Sequence, residues 1–338
     1  MQSKVLIRSF NPTVNGKTGL PNKKKNFRRS KEWFDFEKVL LDVLSKKIVH
    51  VIPETQLISD NLYSLDYDVK IKCHSNKKKY PNFNFFYMQT HHRSIFEFDY
   101  LGWGMENSHV NNFNADRYAK TGSMDGARFE FIYSSLLKKQ TKHEQKKRLS
   151  LRSRSLPSNY IFVPLQSPTD FVIKKHSKIG IIEFIKKVSQ AAKFFKVNVV
   201  FKIHPMGMRN KKINIKLVKE LMTNKYIFVS NDNVIDLINK SQSLVVINSG
   251  VGFEGLMLGK PVATLGDCNY KIATHTIDPL SDPHSWNFFS NPSIKTVTKI
   301  WLHWYLNEVA FVIDELFEKE NKIKLRHLIE TENKSKTP

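Results

Sequence analysis

The chain has 338 residues, with 54 Lys and Arg against 31 Asp and Glu for a formal charge of +23. Hydrophobic residues make up 41% and aromatic residues 12%, which excludes wholesale disorder and is enough for two α/β domains. Two cysteines, Cys73 and Cys268, cannot build a disulfide framework, so a reducing compartment is expected.

Near the start, KVLIRSF (Lys4 to Phe10) reads as a strand. A loop with the basic cluster Lys23, Lys24, Lys25, Arg28, Arg29 and Lys31 follows, and Ser30 is placed to cap a helix. That helix has apolar positions Trp33, Phe36, Leu40 and Leu44 at helical spacing. Short strands are expected at Ile48 to Ile52, Val69 to Cys73 and Asn84 to Gln89. His91 to Asn114 is aromatic, polar and aperiodic, which predicts loops around a site. From Lys138 to Ser155 the chain carries eight Lys or Arg and one Glu, closed by Pro157. This composition shift sets the expected domain boundary, with residues 1–157 as one Rossmann-like domain and 158–295 as a second. The same basic stretch is either a solvated linker or a contact for an anionic surface.

The second half alternates strand and helix. Strands are expected at Tyr160 to Pro164, Val197 to Ile203, Tyr226 to Ser230, Ser243 to Ile247 and Pro261 to Gly266. Helices are expected from Ile181, over Ile215 to Met222, over Val234 to Asn239, and from about Phe253. Short apolar strands separated by amphipathic helices predict a parallel sheet covered on both faces, an α/β architecture. A last helix, about Val297 to Leu328 within the segment 296–330, is expected to pack back toward the first domain. Its Trp301, Trp304 and Tyr305 are read as core residues or as membrane-interface anchors.

In an open parallel sheet, ligands sit beyond the carboxyl ends of the strands. Gln166 to Asp170, His204-Pro205, Asn248 to Gly250 and Asp267 to Tyr270 all lie at such ends. The turn NSGVG carries a Ser249 hydroxyl and small residues at Gly250 and Gly252, and the following helix turns its positive end toward any bound anion. Ser249 is also a favoured helix cap, so a plain strand-to-helix turn is the alternative. Glu254 is expected in the first helical turn, able to accept from ribose hydroxyls. Lys202 and His204 share a strand end and suit a phosphate leaving group without a metal. No HExxH, paired CxxC or EF-hand spacing is present, and neither are GxGxxG or the P-loop.

The ordered set FVPLQ-x3-D, KIHP and NSGVGFEGLMLGKPVATLG resembles the capsule polysaccharide biosynthesis glycosyltransferases, including transferases of Kdo (3-deoxy-D-manno-octulosonic acid). The likeness covers roughly Tyr160 to Thr276, and DYLGWG (Asp99 to Gly104) resembles the family's acceptor-side loop more loosely. The resemblance implies a GT-B-like fold, two Rossmann-like domains with a deep interdomain cleft and the CMP-sugar donor held by the second. It assigns Asp170 as the nucleophile of a retaining double displacement. Gln166, Lys202, His204, Pro205, Asn248, Ser249, Gly250 and Glu254 are the expected donor-binding residues. Ser167-Pro168-Thr169 and Phe171 depart from the family pattern, which leaves the exact sugar open.

No run reaches the ~18–20 apolar residues of a spanning helix, and the N-terminus does not read as a signal peptide. The expected protein is cytoplasmic and peripheral on the inner face of a bacterial inner membrane. Its expected partners are a CMP-sugar donor, a lipid-linked or glycan acceptor, an anionic membrane surface and other capsule assembly proteins. No cofactor and no metal are expected. Two readings compete: a basic nucleic-acid-binding protein, and a nucleotide-sugar-binding export accessory without turnover. The first lacks a helix-turn-helix, zinc-finger or RNP signature, so nucleic acid is not an expected partner.

Overall fold

The computed structural model describes residues 4–9, 31–53, 67–121, 126–141, 155–204 and 224–334. The chain divides into two compact units, Met1–Phe113 with Tyr305–Pro338, and Asn114–Trp304. In chain order the strands are β1 Lys4–Ser9, β2 Ile48–Pro53, β3 Val69–Cys73, β4 Phe85–Gln89, β5 Ile95–Asp99 and β6 Ile161–Pro164. They continue as β7 Val199–Lys202, β8 Ile227–Val229, β9 Ser243–Val246, β10 Val262–Thr264, β11 His275–Thr276 and β12 Phe311–Val312.

The first unit holds a sheet in the order β12-β5-β4-β3-β1-β2. Strands β2, β1, β3 and β4 run parallel, while β5 and β12 are antiparallel additions. The helix Lys31–Val43 connects β1 to β2 and buries Trp33, Phe36 and Leu40 of the expected stripe, with Val39 beside them and Leu44 buried just past its end. Phe36 stacks on Phe96 of β5 at 4.6 Å between ring centroids with nearly parallel planes. Glu37, on the same buried face, accepts from Trp33 Nε1 at 3.0 Å and Tyr87 Oη at 2.6 Å, and also from Ser9 Oγ. One carboxylate therefore ties the helix to β1 and β4. Ser30, the expected cap of this helix, lies outside the described residues, as do Lys23 to Arg29 and the expected helix Ile215 to Met222.

The stretch read as loops, His91 to Asn114, contains β5. Its aromatic residues alternate with carboxylates: Phe96 and Phe98 pack in the core, while Glu97 and Asp99 organise the loop beyond the strand. Asp99 Oδ1 accepts from the N–H groups of Leu101 (2.8 Å) and Ser108 (3.1 Å). Glu97 accepts from Gly104 N–H (2.6 Å), Asn107 Nδ2 (3.1 Å) and Tyr305 Oη (2.7 Å). Burial pushes the Glu97 carboxyl above its ordinary range, and these donors oppose the shift. A strand whose alternation is aromatic and acidic does not look like apolar–polar patterning, which is why it reads as a loop.

The second unit holds the sheet β11-β10-β9-β6-β7-β8, parallel throughout. Its central strands are buried on both faces, as their continuous apolar sequences require. The helix Ile181–Phe195 buries Ile181, Phe184, Ile185, Val188, Ala191 and Ala192.

The division falls at Phe113/Asn114, ahead of the boundary that composition suggests after residue 157. The helices Ala115–Thr121 and Ala127–Leu137 pack against Val297–Trp304 and Gly250–Met257, which places them in the second unit. Lys138 and Lys139, which open the basic stretch after them, are exposed. Lys139 there pairs with Asp236 at 3.0 Å, and residues 142–154 lie outside the described residues.

The expected single helix from Val297 to Leu328 is broken. It runs as Val297–Trp304, a π turn Tyr305–Val309, β12, and then a separate helix Glu318–Lys334. That last helix packs on Lys31–Val43, with Leu325 and Ile329 buried and Lys322 bridging to Asp42 at 2.8 Å. Trp301, Trp304 and Tyr305 are buried, so their side chains serve the core and not a membrane interface. Among the described residues, no helix is long and apolar enough to cross a membrane.

Replacing Phe36 by Ala removes a fully buried ring that stacks on Phe96. The expected loss is about 3–5 kcal/mol, read as a lower urea midpoint; a change below 1 kcal/mol would mean the ring is not central to the first core.

Candidate functional site

The parallel sheet β8-β7-β6-β9-β10-β11 has the strand order 3-2-1-4-5-6 within its unit. Connections from β6 proceed to one side of the sheet and those from β9 to the other. Right-handed crossovers then send the following helices to opposite faces, and a crevice opens between the carboxyl ends of β6 and β9. Gln166 lies two residues past the end of β6 and Asn248 two past the end of β9. They meet there. Gln166 Nε2 donates to Asn248 Oδ1 at 3.1 Å, and the Asn248 backbone N–H donates to Gln166 Oε1 at 3.4 Å. Both side chains are buried.

Asp170 caps the helix Phe171–His176. Its Oδ1 accepts from Val172 N–H at 3.0 Å, and its Oδ2 accepts from Gln166 Nε2 at 3.4 Å. Among the described residues each carboxylate oxygen has one donor, which leaves lone pairs for a further partner. Capping and chemistry do not compete for this side chain.

His204, past the end of β7, feels the charge of Asp170. Burial lowers its pKa, the Asp170 carboxylate opposes that shift and Lys202 adds to it, with burial the largest cause. Burial therefore favours the neutral imidazole. The Lys202 ammonium donates to the carbonyls of Asp232 (2.6 Å) and Asn231 (3.3 Å), so it braces the turn that follows β8. Pro205 lies outside the described residues.

The turn after β9 differs from its expected form. The helix begins at Gly250, not near Phe253, with Ser249 as its cap accepting from Val251 N–H at 3.3 Å. Gly252 does not leave its space to a ligand: a Cβ there would stand 2.6 Å from Tyr270 Oη. The Tyr270 hydroxyl donates to the Ser249 carbonyl and pins the turn. Glu254 sits in the body of the helix at 3% exposure, so it is not an exposed first-turn acceptor for ribose hydroxyls. Gly250, half-buried, is the first helical residue.

Tyr270 is the functional neighbour that the sequence reading names only as part of an exit. Its signal is spacing: a Tyr four residues past Gly266 returns to the preceding strand-to-helix turn. Beside it, burial pushes the Cys268 thiol up to about 12, so this cysteine stays protonated.

Fold and site together define an α/β protein with two mainly parallel, Rossmann-like sheets, of the GT-B kind, and a polar cluster at the switch point of the second. The chain belongs to the capsule polysaccharide biosynthesis protein family, which it matches over residues 106–295. It is 33% identical over 121 residues to Protein FixF of Sinorhizobium fredii, an alignment covering 35% of this chain and 29% of FixF. The chain thus spans less than a third of that relative. Among solved structures it is similar to the Thermosulfurimonas dismutans KpsC beta Kdo 2,7 transferase. The TM-score is 0.52 at 15% identity, covering 97% of this chain and 100% of that one. The beta Kdo 2,4 transferase of the same protein gives a TM-score of 0.49 at 14% identity, covering 89% and 96%.

Two outcomes follow from this geometry. Gly252→Ala should overpack the buried Tyr270 hydroxyl at a cost of about 1–3 kcal/mol, and in a Tyr270→Phe background the same substitution should cost less; additive effects in denaturant titrations would place the two residues out of contact. The second concerns acid stability. A His204 pKa depressed below 6.5 means the unfolded chain binds its proton first as pH falls, so stability declines from about pH 6.5 down to the folded-state pKa and levels off below it. His204→Gln should flatten that part of the decline, and an imidazole titrating above 6.5 by NMR would contradict the sign.

Proposed function

We propose that this chain is a glycosyltransferase of capsular polysaccharide synthesis that transfers a sugar acid, Kdo or a close relative, from a CMP-activated donor to a lipid-linked or glycan acceptor. Membership in the capsule polysaccharide biosynthesis family supports the pathway, and the fold is compatible with it. The observation that carries the chemistry is Asp170. It is a half-buried carboxylate, fixed through both oxygens, beside the switch point where a parallel sheet presents its ligands.

In the proposed reaction Asp170 attacks the anomeric carbon while the bond from that carbon to the CMP phosphate oxygen breaks, and CMP departs. The acceptor hydroxyl then attacks the same carbon from the face CMP left, loses its proton to a base, and releases the Asp170 carboxylate, so configuration is retained. A carboxylate held in place also stabilises the oxocarbenium-like transition states of both steps. Neutral His204 supplies a hydrogen bond and not a charge to the departing phosphate. Positive potential comes mainly from the amino end of Gly250–Met257, the Lys202 ammonium being held by the Asn231 and Asp232 carbonyls. These groups suffice for a metal-free mechanism. Attachment to the inner face of the membrane through basic segments, Lys138 and Lys139 included, completes the reading, since each basic residue at an anionic surface contributes about 1 kcal/mol.

Asp170→Asn keeps the size of the side chain and its cap but removes the charge. CMP should bind as before while transfer from CMP-Kdo falls by roughly 10³-fold or more, the signature of an interaction made in the transition state. Mass spectrometry of the native protein given donor without acceptor should find the sugar on the peptide bearing Asp170. Near-native transfer by the variant would remove Asp170 from the mechanism.

A further inference from the structure

The side chains around Asp170 form a closed circuit of hydrogen bonds. Starting from the carboxylate, Oδ2 accepts from Gln166 Nε2, and the same Nε2 donates to Asn248 Oδ1. Asn248 Nδ2 donates to the Val172 carbonyl at 3.2 Å, and Val172 N–H returns to Asp170 Oδ1. A cross-link closes the interior, from Asn248 N–H to Gln166 Oε1. From this geometry we infer that Gln166, held by Asn248, is a positioning residue that fixes the plane of the Asp170 carboxylate, and does not itself contact the donor. The inference rests on the proposed nucleophilic role of Asp170.

Three features support it. A primary amide has two N–H donors, and both of those on Gln166 are committed, one to Asn248 and one to Asp170. Its oxygen takes the Asn248 N–H, so these bonds run inward to the protein. The backbones of both residues are anchored: Leu165 N–H donates to the Lys202 carbonyl at 2.9 Å on one side, and Gly266 N–H donates to the Ile247 carbonyl at 2.9 Å on the other. The circuit is also packed from beneath. A Cβ on Gly266 would stand 2.9 Å from the His176 carbonyl and 3.3 Å from Asn248 Nδ2, so the backbone closes directly under it. A carboxylate with free rotation about its Cβ–Cγ bond presents a lone pair to an incoming carbon only part of the time. Donors fixed on both oxygens remove that freedom before substrate arrives.

The test uses Gln166→Glu and Gln166→Met in the full chain. Both keep the length of the side chain; ionised Glu accepts from Asn248 N–H but cannot donate to Asp170, and Met makes neither bond. CMP affinity is read by calorimetry, and kcat and KM with CMP-Kdo, alongside a thermal melt of each variant. The expected result is a kcat lower by ~10–100-fold in both variants, with CMP affinity and the donor KM unchanged and slower formation of the sugar adduct on Asp170. A loss of CMP affinity with kcat preserved would make Gln166 a donor contact and overturn the inference, as would full activity of both variants. An inactive Asp170→Asn beside fully active Gln166 variants discards only the circuit, whereas an active Asp170→Asn discards the nucleophile and the circuit with it.

Discussion

Everything at the candidate site follows from one topological constraint, the reversal of strand order between β6 and β9. These strands are neighbours, yet their connections leave in opposite directions, which opens a crevice between their carboxyl ends. The backbones that emerge there still carry N–H and C=O groups that must be satisfied out of water. Gln166 and Asn248 supply this: one amide side chain from each exit, bonded to each other and to the Asn248 N–H and the Val172 carbonyl. Two buried carboxamides at a switch point therefore have a structural reason to exist, and Asp170 is placed by the same arrangement.

Buried carboxylates organise the first unit in a comparable way. Glu37 joins a helix to two strands through Trp33, Tyr87 and Ser9. Glu97 and Asp99 gather the N–H groups of the loop that follows β5, and Tyr305 adds its hydroxyl to Glu97 from the segment that returns to this unit. A carboxylate that accepts several donors can be buried where a lone one would not be tolerated. The family match begins at residue 106, within the loop that these two carboxylates shape.

Strands and helices in the second unit are legible in the sequence because both obey simple periodicities. The run from Ile181 to Phe195 shows its 3.6-residue stripe, and VNVVFKI and SLVVI are continuous apolar runs bounded by polar residues. The four strand exits could likewise be placed on one rim without any contact information, since parallel strands share a carboxyl edge. What the sequence hides is where contacts override local pattern. β5 is missed because its alternate residues are the buried carboxylates Glu97 and Asp99, and β11 because two residues carry no period. The helix from Val297 is overextended because its break at Tyr305 lacks Gly or Pro. Gly252 reads as room for a ligand because nothing local announces that Tyr270, eighteen positions later, fills it.

The packing of Tyr270 against Gly252 changes how an anion can be held in the proposed reaction. Of the N–H groups at the start of Gly250–Met257, Val251 donates to Ser249 Oγ and Gly252 donates to the Ser249 carbonyl, at 3.3 and 2.9 Å. A phosphate at this turn would therefore not rest in a nest of several glycine amides. The Ser249 hydroxyl is differently placed: its oxygen accepts from the helix while its proton remains available to donate. Capping orients the hydroxyl, Tyr270 fixes the carbonyl behind it, and the helix dipole adds a partial positive charge on the same axis. With His204 neutral and the Lys202 ammonium turned to backbone carbonyls, the leaving phosphate is met by oriented dipoles more than by formal charge. Such groups need little reorganisation as charge builds on the departing oxygen, which is the condition under which electrostatic stabilisation is most effective.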